Sequence, residues 1–215
     1  MNDRPLRIYC AGPLFNQSER DEMAEIARAL EEAGFATFLP QRDGLELTKC
    51  VEALARQGVS SEDANRLMSQ AVFALDVYQV LDGCDLVLAN LNGRVPDEGA
   101  VSEAAIAWSR GKPVVGYKAD SRTAFLGMDN PLVAGLFDFD LCATVQEAVS
   151  AVVAHGERRA TRRRQAERRE KEIASQLKLG SAIWAALQSE GGVDAVLSVL
   201  TRHGEASLRI TASMP

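Results

Sequence analysis

Two short apolar runs, separated by a helical pattern, mark the middle of the chain. Leu86–Leu91 is bounded by polar and glycine residues, as is typical of a strand that is buried on both faces. Pro96 and the acids that follow it predict the start of a helix, which is expected to end at Gly111. Val114–Tyr117 is the second predicted strand. A strand, a helix and a strand in this order predict a parallel sheet flanked by helices.

The N-terminal segment repeats this alternation. Arg7–Ala11 and Phe35–Leu39 predict two more strands. Between them we expect a helix that begins at Ser18 and ends at Gly34, with Ser18 and Asp21 as its capping box. The turn after the first strand lacks the pattern G-x-G-x-x-G, and the chain contains no G-x-x-x-x-G-K-[ST]. The sequence therefore supports neither the usual dinucleotide fingerprint nor a P-loop.

After the second strand the pattern is mainly helical. Residues 45–60 show no clear periodicity. The segments that follow predict helices over 61–81, 144–154 and 181–200, a loop over 118–132 and an edge strand over 208–211. We therefore predict an α/β fold, a Rossmann-like parallel sheet flanked by helices, with a mainly helical C-terminal extension. The predicted boundary separates a first domain, residues 1–155, from an extension of unassigned role, residues 156–215.

The composition narrows the class of protein. Of the 215 residues, 47% are hydrophobic and 25% are charged, which is typical of soluble globular proteins. Met1–Pro5 leads directly into a predicted strand, and no apolar run approaches membrane-spanning length. We therefore expect a cytoplasmic protein without a signal peptide or a membrane partner. The four cysteines form no C-x-x-C pair, which predicts reduced thiols.

The charge and the histidine count restrict the chemistry. The net charge is −6, but residues 157–172 carry seven Arg, one Lys and four Glu, a net of +4, so the remainder sums to −10. Arg and Glu alternate in this segment at helical spacings, which favours a solvated, salt-bridged helix over a nucleic-acid-binding stripe. Because the chain has only two histidines, acid–base chemistry is expected to fall to carboxylates.

One acid is unusual in the helix predicted between the two central strands. Glu103 has Ala, Val, Ile and Trp neighbours, and a carboxylate there is costly unless it is paired, neutralised or used. Helical spacing places it opposite an apolar stripe, so we expect it to face a cleft or a neighbouring subunit. That stripe consists of Val101, Ala104, Ala105 and Trp108. The alternative is a buried Glu that is satisfied by hydrogen bonds or by an interface salt bridge.

Two more polar features lie in positions that suit a site. Asp76 lies late in the predicted helix 61–81, between apolar neighbours. Pro40–Gly44, with the sequence P-Q-R-D-G, follows the second strand. Open α/β sheets bind ligands at this edge, although a plain polar turn would have the same composition.

Taken in order, these motifs resemble the nucleoside 2-deoxyribosyltransferase family. The shared elements are I-Y-C-A-G-P-L-F at residues 8–15, P-Q-R-D-G at 40–44, Asp76 ahead of the C-D-L-V-L-A-N strand, P-D-E-G six residues before Glu103, G-K-P-V-V-G, and D-N-P-L-V-A-G-L-F at 129–137. The likeness covers residues 6–137, and only the ordered set is specific. It implies a Rossmann-like catalytic domain in residues 1–155, and a homo-oligomer in which one subunit completes its neighbour's site.

The resemblance also implies roles for individual residues. Glu103 would be the nucleophile with Tyr9 as its hydrogen-bond partner, and Asp76 and Asp97 would hold and protonate the departing base. Substrate contacts would come from Gly12, from Phe15 and Gln41 at the base, and from Asn130 at the 5′ side of the sugar, in an adjacent subunit. No metal and no cofactor are implied. The chain has Ala104-Ala105-Ile106-Ala107 where the family usually has L-G-Y-A, a difference that affects the sugar pocket.

Carboxylates suit this chemistry on physical grounds. Cleavage of an N-glycosidic bond builds positive charge on the sugar, which a carboxylate beneath C1′ can stabilise and trap covalently. The leaving base needs a proton from a second carboxyl group. Three functions remain open at this point: base exchange between a nucleoside and a free nucleobase, hydrolysis of nucleosides or their 5′-monophosphates, and nucleoside binding without catalysis.

Overall fold

The computed structural model describes residues 5–123, 129–157 and 162–212. Five parallel strands form one sheet in the order β2-β1-β3-β4-β5. The strands are β1 (Arg7–Ala11), β2 (Ala36–Phe38), β3 (Leu86–Asn90), β4 (Val114–Tyr117) and β5 (Leu141–Cys142). The helices are α1 (Gln17–Glu32), α2 (Pro40–Asp43), α3 (Leu47–Arg56), α4 (Ser61–Tyr78), α5 (Glu98–Ser109), α6 (Pro131–Ala134), α7 (Val145–Glu157), α8 (Arg162–Leu187) and α9 (Gly192–Ala212). The predicted α/β fold with a parallel sheet is confirmed.

Alternation along the strands divides the core into two layers. Ile8 and Cys10 of β1 pack in one cluster with residues of α1 and α7, whereas Tyr9 and Ala11 pack in the other with residues of α5. β3 is buried along its whole length, because both of its faces are covered. The strand order reverses between β1 and β3, and at such a switch point the carboxyl ends of the strands open a crevice.

The N-terminal half differs from the prediction in four places. The N-cap of α1 is Asn16, whose side chain accepts the N–H of Glu19 while Glu19 reaches back to the cap, so the capping box predicted at Ser18 and Asp21 is wrong. The polar segment after β2 forms the short helix α2, and the unpatterned residues 45–60 contain α3. The helix predicted over 61–81 is α4, followed by a π-helical turn at Gln79–Gly83.

The C-terminal half also departs from expectation. Residues 181–200 are not one helix, because a turn over residues 188–191 separates α8 from α9, which begins at Gly192 with φ 48°. The edge strand predicted over 208–211 is wrong, since these residues belong to α9. Instead, the two-residue strand β5 forms the sheet edge. Part of the Arg-rich segment, residues 158–161, lies outside the described residues, and so do residues 124–128 of the predicted loop.

The chain divides into two compact units, Met1–Gln165 and Ala166–Pro215, where the sequence predicted a boundary after residue 155. The first unit contains the sheet. In the second, Arg168 and Arg169 pair with Glu172 at 2.8 Å, in the i,i+4 and i,i+3 spacings expected of a salt-bridged helix. Within the described ranges, no helix is both long enough and apolar enough to cross a membrane.

Candidate active site

Tyr9 is the central residue of β1, and its position follows from the alternation of the strand. Its side chain is fully buried on the α5 side of the sheet. It lies next to Phe38, its register partner on β2, and the two rings stack with centroids 5.4 Å apart. The stacking limits the movement of the ring, and the hydroxyl group donates a hydrogen bond of 2.6 Å to Oε1 of Glu103.

Glu103 reaches Tyr9 because α5 packs closely on the sheet. Ala100, Ala104 and Ala107 are the buried residues of the helix, and their small side chains allow a close approach. Glu103 therefore lies on the packed side of α5, and the prediction that it faces away from the packed stripe is wrong. The helix is apolar on nearly all sides, so its sequence periodicity did not identify the buried face.

The surroundings make it costly to ionise Glu103. Burial raises its pKa to about 7, the hydrogen bond from Tyr9 opposes this rise, and the carboxylates of Asp76 and Asp97 add to it. Burial, with the nearby Glu103 carboxylate, raises the pKa of Tyr9 far above its ordinary value, so its hydroxyl stays a proton donor. Burial also raises the pKa of Asp76, against a hydrogen bond from Tyr9. Glu103 and Asp76 thus lie beside one phenol group, and Asp97 lies near Glu103.

Asp97 is held in place by the N-terminus of α5. It is the N-cap residue, and its Oδ1 accepts a hydrogen bond of 2.8 Å from the N–H of Ala100. A Cβ atom at Gly99 would lie 3.0 Å from that same oxygen. The glycine of the P-D-E-G motif therefore leaves room for the capping carboxylate beside the site.

A cavity of about 510 Å³ lies at the carboxyl ends of β1 and β2 and beside the N-terminus of α5. It is lined by six of the residues selected from the sequence: Gly12, Phe15, Gln41, Asp76, Asp97 and Glu103. Tyr9 does not line the cavity, because its side chain is completely buried. It is connected to the site through its hydrogen bond to Glu103. The structure thus brings the candidate acids and the candidate base-binding residues to one cavity.

The turn after β1 requires glycine for a packing reason. A Cβ atom at Gly12 would lie 2.3 Å from Sδ of Met23 in α1, and 3.0 Å from Cβ of Asn90. Any added side chain would require the buried side chain of Met23 to move, so this position favours glycine.

In α2, the neighbouring residues Gln41 and Arg42 make different contacts. Gln41 lines the cavity, and its Nε2 donates a hydrogen bond of 2.8 Å to the backbone oxygen of Arg20. Arg42 instead pairs with Glu31 and Asp43, both at 2.9 Å, and Asp43 accepts the N–H of Leu39. The P-Q-R-D-G motif therefore supplies one side chain to the cavity wall and connects α2 to α1 and β2.

Asn130 is the predicted substrate-binding residue that the structure does not bring to the cavity. It is exposed, it lines no cavity described here, and its Oδ1 accepts the N–H of Leu132 as the N-cap of α6. Its predicted contact with the sugar through an adjacent subunit stays a prediction.

Arg20 is a cavity residue that the sequence reasoning missed. It lies near the N-terminus of α1, is half-buried, and lines the cavity together with Phe15 and Gln41. A cation near a helix N-terminus opposes the helix dipole, and this was the signal in the sequence that such a residue has another function. Glu98 also lines the cavity.

A second cavity, of about 680 Å³, adjoins the first. The two share Leu47, Val72, Asp76, Gly99 and Glu103 in their walls. Beyond these, the second cavity is mostly apolar, with Val51, Met68, Phe73, Val77, Val80 and Ile106 from α3, α4, the π-helical turn and α5.

On the opposite face of the sheet, a different polar cluster surrounds Glu22 of α1. Its two carboxylate oxygens accept hydrogen bonds from the side-chain amides of Asn90, at 3.0 Å, and Asn92, at 2.6 Å. The oxygen of Asn92 in turn accepts the backbone N–H groups of Ala119 and Asp120. This cluster ties together the loops that follow β3 and β4. Within the described ranges, no group of His, Cys, Asp and Glu side chains has an arrangement that would hold a metal ion.

Comparison with known proteins agrees with this architecture. The family model described as nucleoside 2-deoxyribosyltransferase matches residues 8–176. A conserved protein from Enterococcus faecalis V583 has a similar fold, with a TM-score of 0.52 and 20% identity over 68% of this chain and 96% of that one. A 2-deoxyribosyltransferase from the psychrotolerant bacterium Bacillus psychrosaccharolyticus gives a TM-score of 0.44 and 18% identity over 61% of this chain and 82% of its own. The curated protein sequences give no match.

Proposed function

We propose that this chain, which belongs to the nucleoside 2-deoxyribosyltransferase family, transfers a 2-deoxyribosyl group from one nucleobase to another through a covalent ester on Glu103. The family match supports an enzyme of the deoxyribosyltransferase type. The observation that carries the mechanism is the buried pair of Tyr9 and Glu103, 2.6 Å apart, at a cavity with two more acids. A purely structural carboxylate would not need three acids crowded at one cavity.

In the first half-reaction, Oε2 of Glu103 attacks C1′ of the nucleoside while the bond from C1′ to the base nitrogen breaks. Tyr9 donates to Oε1 and so orients the carboxylate and stabilises its charged form. The electrons of the broken bond move to the base, and a proton from a carboxyl group completes its departure. We assign this proton to Asp76, because burial raises its pKa.

In the second half-reaction, a ring nitrogen of the incoming base attacks C1′ and the ester bond to Glu103 breaks. Asp76 accepts the proton that the incoming base loses, and the enzyme returns to its starting state. Two successive displacements retain the configuration at C1′. Asp97, fixed by the N–H of Ala100, serves in this scheme to hold the substrate.

The charge of the cavity favours neutral nucleosides over their 5′-monophosphates. Among the described residues that line it, four are acids (Asp76, Asp97, Glu98 and Glu103) and Arg20 is the basic one. An anionic phosphate would approach a surplus of negative charge, which disfavours its binding.

Incubation with deoxyinosine, with and without free adenine, tests the function. Appearance of deoxyadenosine in the presence of adenine identifies a transferase, whereas release of hypoxanthine alone identifies a hydrolase on the same site. No turnover would contradict both and leave a nucleoside-binding protein.

A fluorinated substrate tests the covalent step directly. Fluorine at C2′ destabilises the cationic transition states of both half-reactions, so a nucleoside with a good leaving base should load the enzyme and discharge slowly. Intact-mass measurement should show the added fluoro-sugar, and peptide mapping should place it on Glu103. Label on another acid, or inversion at C1′ without an adduct, would reject this mechanism.

The apolar second cavity suits a subunit contact. Phe73 of its wall is 69% exposed, and large apolar surfaces beside a site are typical of interfaces. We propose that a second copy of the chain covers it and completes the active site, as the family resemblance implies. Light scattering should give an oligomer, and Phe73→Asp should yield monomers with reduced turnover. A fully active monomer would contradict a shared site.

A further inference from the structure

We infer that Arg20 donates hydrogen bonds to the nucleobase and selects 6-oxopurines, such as hypoxanthine and guanine, over adenine. The inference rests on the proposed function and adds a substrate class to it. It starts from an unforeseen residue, a half-buried cation in the wall of an acidic cavity.

The guanidinium of Arg20 is held in place before any substrate binds. One terminal nitrogen donates a hydrogen bond of 3.1 Å to the backbone oxygen of Leu14, and the other donates one of 3.2 Å to the side-chain oxygen of Gln17. A guanidinium has five N–H groups, and these bonds engage two of them. Donors therefore remain for a ligand, and little side-chain freedom is lost when they bind one.

Arg20 also lies at the base-binding end of the cavity. Gln41, a proposed base contact, donates its Nε2 hydrogen bond of 2.8 Å to the backbone oxygen of Arg20. The two residues are therefore direct neighbours in the cavity wall, together with Phe15. A base placed against Gln41 and Phe15 is within reach of the guanidinium.

A guanidinium has N–H donors and no hydrogen-bond acceptor, and this determines which base it can bind. A 6-oxopurine presents two adjacent acceptors, O6 and N7, which an arginine binds as a pair. In adenine, the N6 amino group lies beside both ring acceptors, N1 and N7. A guanidinium that donates to either acceptor therefore places a second N–H donor against the amino group, which is also a donor. When the glycosidic bond of a 6-oxopurine breaks, negative charge also spreads to O6, where a fixed cation stabilises it.

The experiment compares deoxyinosine with deoxyadenosine, whose bases differ at C6 and in the proton on N1. We expect the wild-type kcat/KM to favour deoxyinosine by about tenfold or more. Arg20→Met should lower kcat/KM for deoxyinosine by a similar factor and leave deoxyadenosine nearly unchanged. Arg20→Gln should invert the ratio, because a carboxamide pairs with the N6 and N7 edge of adenine. Arg28→Met, on the exposed side of the same helix, is the matched control and should change neither substrate.

Equal losses on both substrates in both variants would show that Arg20 only supports the turn at Leu14, and would overturn the inference. Calorimetric binding of free hypoxanthine and free adenine tests the role of Arg20 independently of the proposed function. Preference for hypoxanthine without turnover of any nucleoside would reject the transferase and keep the role of Arg20. Equal affinity for the two bases together with equal kcat/KM would reject the role of Arg20 while the transferase stands.

Discussion

Glu22 and Glu103 are half-buried glutamates on opposite faces of the sheet, and their surroundings differ in kind. Glu22 accepts one side-chain amide on each oxygen, from Asn90 and Asn92. Glu103 accepts one phenol hydroxyl and has two further acids near it. Neutral donors satisfy a carboxylate, whereas neighbouring carboxylates and burial make its charge costly. Glu22 holds two loops together, whereas the surroundings of Glu103 suit the reactive role that we propose for it.

The largest effect should come from removing the proposed nucleophile. Glu103→Gln keeps the size of the side chain and an acceptor for Tyr9, yet it should reduce turnover on the order of 10⁴-fold or more, as is found for nucleophiles that act as part of a unit. Glu22→Gln is the matched control and should keep nearly wild-type turnover. Release of base from a deoxynucleoside measures both. Comparable activity in the two variants would remove the functional distinction between the acids.

Next in size is the proton donor. Asp76→Asn keeps the shape of the side chain but cannot deliver a proton, so kcat/KM for natural nucleosides should fall by roughly 10²–10⁴. Nucleosides with an activated leaving base should lose far less. Asp97→Asn should affect natural and activated substrates alike, since its amide still caps α5 and only the hold on the substrate changes. Equal losses on both substrate types in the Asp76 variant would contradict proton delivery by Asp76.

The pH dependence should show a moderate effect. Turnover requires Glu103 to be ionised and Asp76 to be protonated, so kcat/KM should follow a bell-shaped pH profile with one limb near 7, where Glu103 titrates. The bond from Tyr9 lowers the pKa of Glu103, so Tyr9→Phe should move the limb upward by about one pH unit and restore activity at higher pH. Tyr78→Phe, a half-exposed tyrosine at the end of α4, should leave the limb in place. A limb that does not move in Tyr9→Phe would show that Tyr9 does not tune Glu103.

The smallest effects, on stability, should have opposite signs. Because folding raises the pKa of Glu103 from 4.5 to about 7, the wild type loses stability as the pH rises through this window, by up to about 3 kcal/mol. Glu103→Gln should therefore raise Tm at pH 8 and change it little at pH 4.5. In Glu22→Gln, one acceptor oxygen remains for two amide donors. The free energy of unfolding should therefore fall by about 1 kcal/mol, which lowers Tm by about 2–4 °C. Thermal unfolding at the two pH values checks both, and a lower Tm for Glu103→Gln at pH 8 would contradict the cost assigned to its charge.

The sequence predicted the central part of the fold well. The strands β1, β3 and β4, and the helix α5 between the last two, lie where short buried runs and a helix start signalled them. The prediction failed at α3 and at β5 for different reasons. The helix α3 is amphipathic, so its periodicity is present in the sequence and the prediction overlooked it, whereas β5 has only two residues, which no periodicity can identify. The cap of α1 was placed two residues late, because several residues near that end can serve as caps.

What the sequence by itself determined is the parallel sheet, the family, and a set of acids in apolar surroundings, because these depend on residue type and local order. Tertiary structure decided which acids meet. Tyr9 and Glu103 are 94 positions apart, and they touch because strand alternation turns Tyr9 toward α5 while three alanines bring that helix onto the sheet. The direction of Glu103 could not be read from a helix that is apolar on nearly every side, since only packing against the sheet selects one side. Arg20 entered the cavity for the same reason: its place is set by the turn after β1 and by α2, which the chain brings together only when it folds.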